Sequence, residues 1–367
     1  MSVLAAFAAI AVLMVLIFVH ELGHFLAARS QGIHVNRFSL GFGPIIWKYQ
    51  GSKTEYAIRA FPLGGFVGFP DDDPDCDIPR NDPDLLSNRP ILDRAIVISA
   101  GVIANLIFAY FLLTTQAGLV GVPQVTEKNP GILIQQLVPN AGSAATEAGI
   151  KAGDVVLAAN GREFLTYQDE VKVFQEIIQK NAGSAVKLDI SRGEEKLNLT
   201  VVPKANSEGN GSIGVNLSPN QKIERRKVTN PIQAVKVGAS EFQRILTLTF
   251  SGLGQLVTNF GETAPQLSGP VNIVKAGANI AQNDSGSLLF FGALISINLA
   301  VINILPLPAL DGGQLAFLLF EGVMGKPLPA RIQEGVMQTG LMLLLGLGMF
   351  LIVKETTELQ WVQQLFQ

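Results

Sequence analysis

Val3 to Val19 contains no polar side chain, and the run leads directly into His20-Glu21-Leu22-Gly23-His24. As a helix, such a stretch is long enough to approach the full depth of a bilayer's hydrocarbon core. Similar apolar stretches recur around residues 95–117, 288–310 and 336–353, whereas 120–285 reads as ordinary water-soluble protein. Hydrophobic residues make up 48% of the chain and charged residues 16%, with a mean hydropathy of +0.34. The apolar excess lies in the four runs, which is the pattern of a membrane protein carrying a soluble insert. A net charge of −3 and a pI near 5.7 argue against a nucleic-acid partner. Cys76 is the only cysteine, so neither an intrachain disulfide nor a cysteine-based zinc cluster is available. No basic residue precedes the first run and no small-residue cleavage site follows it, so a retained span is expected rather than a signal peptide.

The expected fold is a multi-pass α-helical membrane protein with about four transmembrane helices, at 3–28, 91–119, 288–305 and 336–353. Residues 32–69 are glycine-rich and lack helical periodicity; within them 56–69 alternates like two strands joined by a glycine turn at Gly64-Gly65. That stretch predicts a membrane-associated β-hairpin, followed by a solvated acidic loop over 71–84. The insert has strand-like runs at 132–138, 154–159, 185–190 and 197–202 and an amphipathic helix at 167–180, an α+β pattern. The domain reading is 1–121 for the first two spans and the β region, 122–217 for the insert, 218–285 for an amphipathic linker or surface helix, and 286–367 for the last two spans. No repeat with a solenoid period is visible.

Positions i and i+4 of a helix share one face, so His20 and His24 can turn ring nitrogens toward one metal. Glu21, about 100° around the helix, then sits beside that metal without ligating it. This is the arrangement of a zinc hydrolase, with two histidine ligands and a glutamate that takes the proton of the attacking water. Ionisable groups near the hydrocarbon cost on the order of 3 kcal/mol each, which marks them as functional. A third ligand is still needed. The metzincin pattern would put a histidine at position 30, which is Ser30, and His34 comes too late and beyond Gly32. A carboxylate must serve. Asn303-Ile304-Leu305-Pro306-Leu307-Pro308-Ala309-Leu310-Asp311-Gly312-Gly313 offers Asp311 just past an apolar helix, where the prolines break the helix and the glycines free the backbone. Counting spans puts His20, His24 and Asp311 at one depth only if 241–260 lies on the membrane or dips into it rather than crossing it.

These motifs together resemble the site-2 protease family of intramembrane zinc metalloproteases, most closely its regulator-of-sigma-E branch, and the resemblance covers nearly the whole chain. It implies Zn²⁺ as cofactor, His20, His24 and Asp311 as its ligands, and Glu21 as catalytic base. Gly101-Val102-Ile103-Ala104-Asn105 resembles a family motif of the second span. Asn105 would contact unwound substrate or the oxyanion, or else join helices; Asn303 would contact substrate or cap the broken helix. Ser268-Gly269-Pro270-Val271 also matches the family, with no evident chemical role, and Gln314 stands where many relatives have histidine. Ala148 to Val156 followed by Asn160-Gly161 resembles a PDZ domain, expected to bind a peptide or chain end or to act as a size filter.

The family implies cleavage of transmembrane protein substrates, after trimming by another protease, in regulated intramembrane proteolysis of an anti-sigma factor or of remnant signal peptides. It places the protein in a bacterial inner membrane, with the site near the cytoplasmic side and the insert outside; a chloroplast membrane is the alternative. An unwound substrate needs partners for its backbone, and the strand edge near Gly64 and Gly65 is expected to supply them. The competing readings are a membrane adaptor with a vestigial metal site, against which intact Glu21 and Asp311 speak, and a metal transporter, which needs ionisable groups along a path.

Overall fold

The computed structural model describes residues 2–73, 78–137, 144–165, 169–205, 209–263 and 267–357. Cys76, Val138 and Tyr167, named above, lie outside the described residues. Two compact units emerge: one formed by Met1–Gly121 with Lys227–Gln367, the other by Val122–Arg226.

In the first unit, four helical segments are long and apolar enough to cross a membrane: Val3–Ser30, Ile91–Leu119, Ser285–Ile304 and Ala330–Thr357. Helix α1 (Val3–Ser30) starts where the Ser2 hydroxyl accepts the Ala5 N–H. Its 28 residues span about 42 Å, more than the hydrocarbon depth. Helix α2 (Ile91–Leu119) crosses α1 where both backbones are bare: a Cβ on Gly23 would lie 2.8 Å from the Ala104 Cβ. Lipid gives no hydrophobic drive between helices, so such small-residue contacts do the packing.

Between α1 and α2 lie β1 (Arg37–Gln50) and β2 (Glu55–Gly68). Each strand bends and uses its two halves separately. Residues 37–40 run parallel to 55–58 on one side and antiparallel to 65–68 on the other, while 47–50 pair antiparallel with 55–58. The expected hairpin within 56–69 is therefore corrected: its halves do not pair with each other, because 37–40 lies between them. Gly41, Gly43 and Gly64 take positive φ, which lets the chain bend there. The 65–68 segment is an outer edge of this sheet.

The second unit is a sheet ordered β10-β3-β4-β6-β7, built from β3 (Val122–Leu137), β4 (Val155–Ala159), β6 (Val186–Arg192), β7 (Glu195–Val201) and β10 (Val215–Arg226). The short β5 (Arg162–Glu163) pairs with β4, and β8 (Lys204–Ala205) pairs with β9 (Gly211–Ser212). Helices α3 (Ala144–Glu147) and α4 (Glu170–Lys180) cover it; Phe174 and Ile178 of α4 join Ile132, Val156, Leu188 and Ile190 in the core. Asp154 accepts from Arg192 at 2.8 Å and from the Lys151 N–H. Burial pushes its carboxyl up, but those donors hold it below the usual carboxylate range. The unit runs past residue 217 because β10 pairs with β3 as far as Arg226. These arms are mostly exposed and polar, so no alternation announces them.

The chain returns through α5 (Pro231–Thr258), the short α6 (Phe260–Thr263) and α7 (Pro270–Asn283) to α8 (Leu288–Ile304), α9 (Asp311–Met324) and α10 (Ala330–Thr357). Helix α5 is amphipathic and not apolar enough to count among the spans. It is more than a linker: Ile245 packs with Ala109 and Leu113 of α2 and Ala293 and Ile297 of α8. The Ser268-Gly269-Pro270-Val271 segment is the start of α7, where the buried Glu355 of α10 accepts the Gly269 and Asn272 N–H groups. A carboxylate suits the positive end of a helix, which gives that segment a structural role.

Candidate metal centre

The three proposed ligands come together in the first unit. Nε2 of His20 and of His24 are 3.3 Å apart, and Oδ2 of Asp311 lies 3.3 Å from the first and 3.5 Å from the second. Ligand atoms of a tetrahedral zinc site with bonds of about 2.0–2.1 Å stand about 3.3–3.4 Å from one another. The three separations fit that polyhedron. Oδ2 of Asp311 is buried and has no hydrogen-bond partner among the described residues, as an oxygen meant for an ion should be. A Cβ on Gly101 of α2 would overlap both imidazoles, so only glycine lets α2 pass behind the ligands.

Each histidine is oriented from behind. Nδ1 of His24 lies 2.8 Å from the Val97 carbonyl and donates to it, which leaves Nε2 with its lone pair for a metal. Nδ1 of His20 faces the Asn105 amide at 3.3 Å. With Nε2 turned to a metal, Nδ1 carries the proton, so the amide oxygen of Asn105 is the end that must face it. Asn105 is fully buried. Of the two places the sequence left open for it, substrate contact or the joining of helices, its contacts are of the second kind: it meets His20 of α1, and its backbone carbonyl accepts from Ser296 of α8 at 2.8 Å.

Asp311 reaches the site through a loop with little freedom. Helix α8 ends at Ile304, Pro306 and Pro308 prevent its continuation, and Ala309 takes φ +67 before α9 begins at Asp311. Gly312 and Gly313 are themselves helical. A Cβ on Gly312 would overlap the Ile304 and Leu305 carbonyls, and one on Gly313 the Leu307 carbonyl. The expectation that these glycines free the backbone is corrected: they are required for close approach. On the far side, Arg94 of α2 grips Glu321 of α9 through two hydrogen bonds, of 3.0 and 2.5 Å. Sequence reading missed α9 and this pair; the opposite charges lie too far apart in the chain to suggest each other.

A cleft of about 450 Å³ opens onto the ligands, lined by His20, Glu21, His24 and Asp311 together with Asn303 and Gln314. Gly65, Phe66 and Val67 of β2 form one wall. Glu21 is buried, takes a hydrogen bond from the Val67 N–H, and has Gly65 against its stem, where a Cβ would sit 2.8 Å from its Cγ. Asn303 presents Nδ2 3.3 Å from Nε2 of His20, at the open side. Gly64 packs under the Phe42 ring and does not line the cleft.

The comparison with known proteins agrees with this chemistry. Residues 8–347 match peptidase family M50. The chain belongs to that family. A protein of Nostoc sp. strain PCC 7120 bearing a zinc-metalloprotease name is 69% identical over the full length of both chains. The chloroplast membrane metalloprotease ARASP of Arabidopsis thaliana is 48% identical over 97% of this chain and 80% of its own. Protease RseP of Yersinia pestis is 30% identical over 95% and 98% of the two chains. Among solved structures, the PDZ domain of an SdrC-like protein from Listeria monocytogenes matches 26% of this chain and 92% of that domain, at 21% identity and a TM-score of 0.21. As an M50 peptidase the protein is a zinc metalloprotease, and its spans make it a membrane protein.

Proposed function

We propose that this M50 peptidase is an endopeptidase that cuts within or beside the transmembrane segments of other membrane proteins. His20, His24 and Asp311 hold the zinc and Glu21 is the base; the observation that carries this is the triangle of 3.3, 3.3 and 3.5 Å between ligand atoms in the helices of a membrane protein. Bound zinc supplies a Lewis acid that lowers the pKa of a coordinated water toward ~7 and polarises the scissile carbonyl. Glu21 takes the proton of the attacking water and delivers it to the leaving amine. Asn303, on the open side beside His20, donates to the substrate carbonyl as negative charge develops there. Asn105 and the Val97 carbonyl keep the imidazoles in the ligating tautomer.

A helical substrate hides its carbonyls, so the enzyme must give unwound backbone new partners. The outer edge at 65–68 is the place for them. The Val67 N–H already points at Glu21, and strand alternation turns the backbone groups of Gly65 the same way. A substrate added as a further strand would lie across Glu21. The second unit is read as a PDZ domain selecting or screening substrates already trimmed by another protease. The chain acts in a bacterial inner membrane or a chloroplast membrane, with the catalytic site near the cytoplasmic or stromal face.

Asp311→Asn tests the ligand set: zinc per chain and cleavage of a reconstituted single-span substrate should both fall at least tenfold. A variant that keeps a full zinc would remove Asp311 from the set.

A further inference from the structure

His34, Asp82 and Asp84 form a second cluster of metal-ligating side chains, which the catalytic reading does not use. Their ligand atoms lie within 4.8 Å of one another, with Nε2 of His34 3.6 Å from Oδ1 of Asp82. Backbone contacts fix the arrangement. The His34 N–H donates to the Asp84 carbonyl at 3.0 Å, and the Asp84 N–H donates to Oδ1 of Asp82 at 2.8 Å. Asn88 clamps the same turn through the Arg80 and Asp82 carbonyls, both at 2.8 Å. Arg89 approaches Oδ1 of Asp84 at 3.3 Å and Oδ2 of Asp93 at 3.4 Å. Two carboxylates and one imidazole make a donor set that attracts a cation.

We infer that His34, Asp82 and Asp84 bind a divalent first-row transition-metal ion, separate from the catalytic zinc. One imidazole nitrogen and two carboxylate oxygens suit Zn²⁺, Co²⁺ or Mn²⁺. Tetrahedral ligands at ~2.1 Å stand about 3.4 Å apart; the His34–Asp82 pair is already at 3.6 Å, and all three ligand atoms lie within 4.8 Å of one another. The His34 and Asp82 side chains keep 32% and 27% of their surface exposed, so water completes the coordination and the ion exchanges with solvent. The site joins the segment just after α1 to the loop that supplies Leu86 to the catalytic cleft. An ion there stiffens one wall of that cleft.

The test is metal content of the full-length protein in detergent, saturated with ZnCl₂ and freed of excess. Wild type should hold two zinc ions per chain. His34→Ala and Asp82→Asn should each hold one, His24→Ala one, and His24→Ala with His34→Ala none. The zinc retained by His34→Ala also reports that its fold survives; if that variant loses both ions, Asp82→Asn decides. Wild type saturating at one zinc that His24→Ala removes overturns the second site alone. A single zinc lost in His34→Ala but kept in His24→Ala would contradict the catalytic assignment instead.

Discussion

His20 has two nitrogens with separate duties. Nε2 faces Asp311, and Nδ1 needs an acceptor, which the Asn105 amide provides when its oxygen is turned to the ring. Asn105→Ala should therefore lower zinc affinity and cleavage about 10- to 100-fold. Asn105→Asp, which keeps an acceptor, should recover more of both than alanine does; equal losses would show that Asn105 acts by packing alone. The His-Glu-x-x-His spacing made His20, Glu21 and His24 readable in the sequence, since a helix converts four residues into one face. The supports behind the ligands were not readable in that way. Gly101 and Asn105 sit on a different helix, and their roles depend on how closely α2 passes α1.

At the level of elements, the sheet edge beside Glu21 carries the substrate argument. Val67→Pro removes one edge donor, so cleavage of a helical transmembrane substrate should fall at least tenfold while zinc stays bound. An unstructured peptide containing the same bond should suffer less. If both substrates slow equally, the lost contact to Glu21 explains the effect and strand addition does not. Alternation and glycine placement pointed to strands in 56–69, but pairing is a tertiary property. Nothing local announces that 37–40 inserts between the two halves of β2. The loop before Asp311 was partly legible: its prolines end α8, whereas its glycines are explained only by the carbonyls they press against.

Across the whole molecule, the proposed topology, with four spans and α5 lying along the membrane, is testable by the side on which each loop emerges. Residue 210 in the second unit and residue 326 between α9 and α10 should face opposite sides. In a Cys76→Ser background, single cysteines at these positions should react with a membrane-impermeant thiol reagent from opposite faces of sealed vesicles. Labelling from the same face would make α5 a fifth span. The four candidate spans could be read from hydropathy alone; the packing of α5 on α2 and α8 could not, because its apolar stripe is compatible with either lipid or protein.

The central claim is that Glu21 activates water at a zinc held by His20, His24 and Asp311. Its most direct test is cleavage of a single-span substrate in proteoliposomes by wild type and Glu21→Gln, with zinc measured on the same samples. The account predicts full zinc in the variant and cleavage reduced by roughly 10²–10⁴-fold. A Glu21→Gln enzyme that holds its zinc and cuts at the wild-type rate would contradict it.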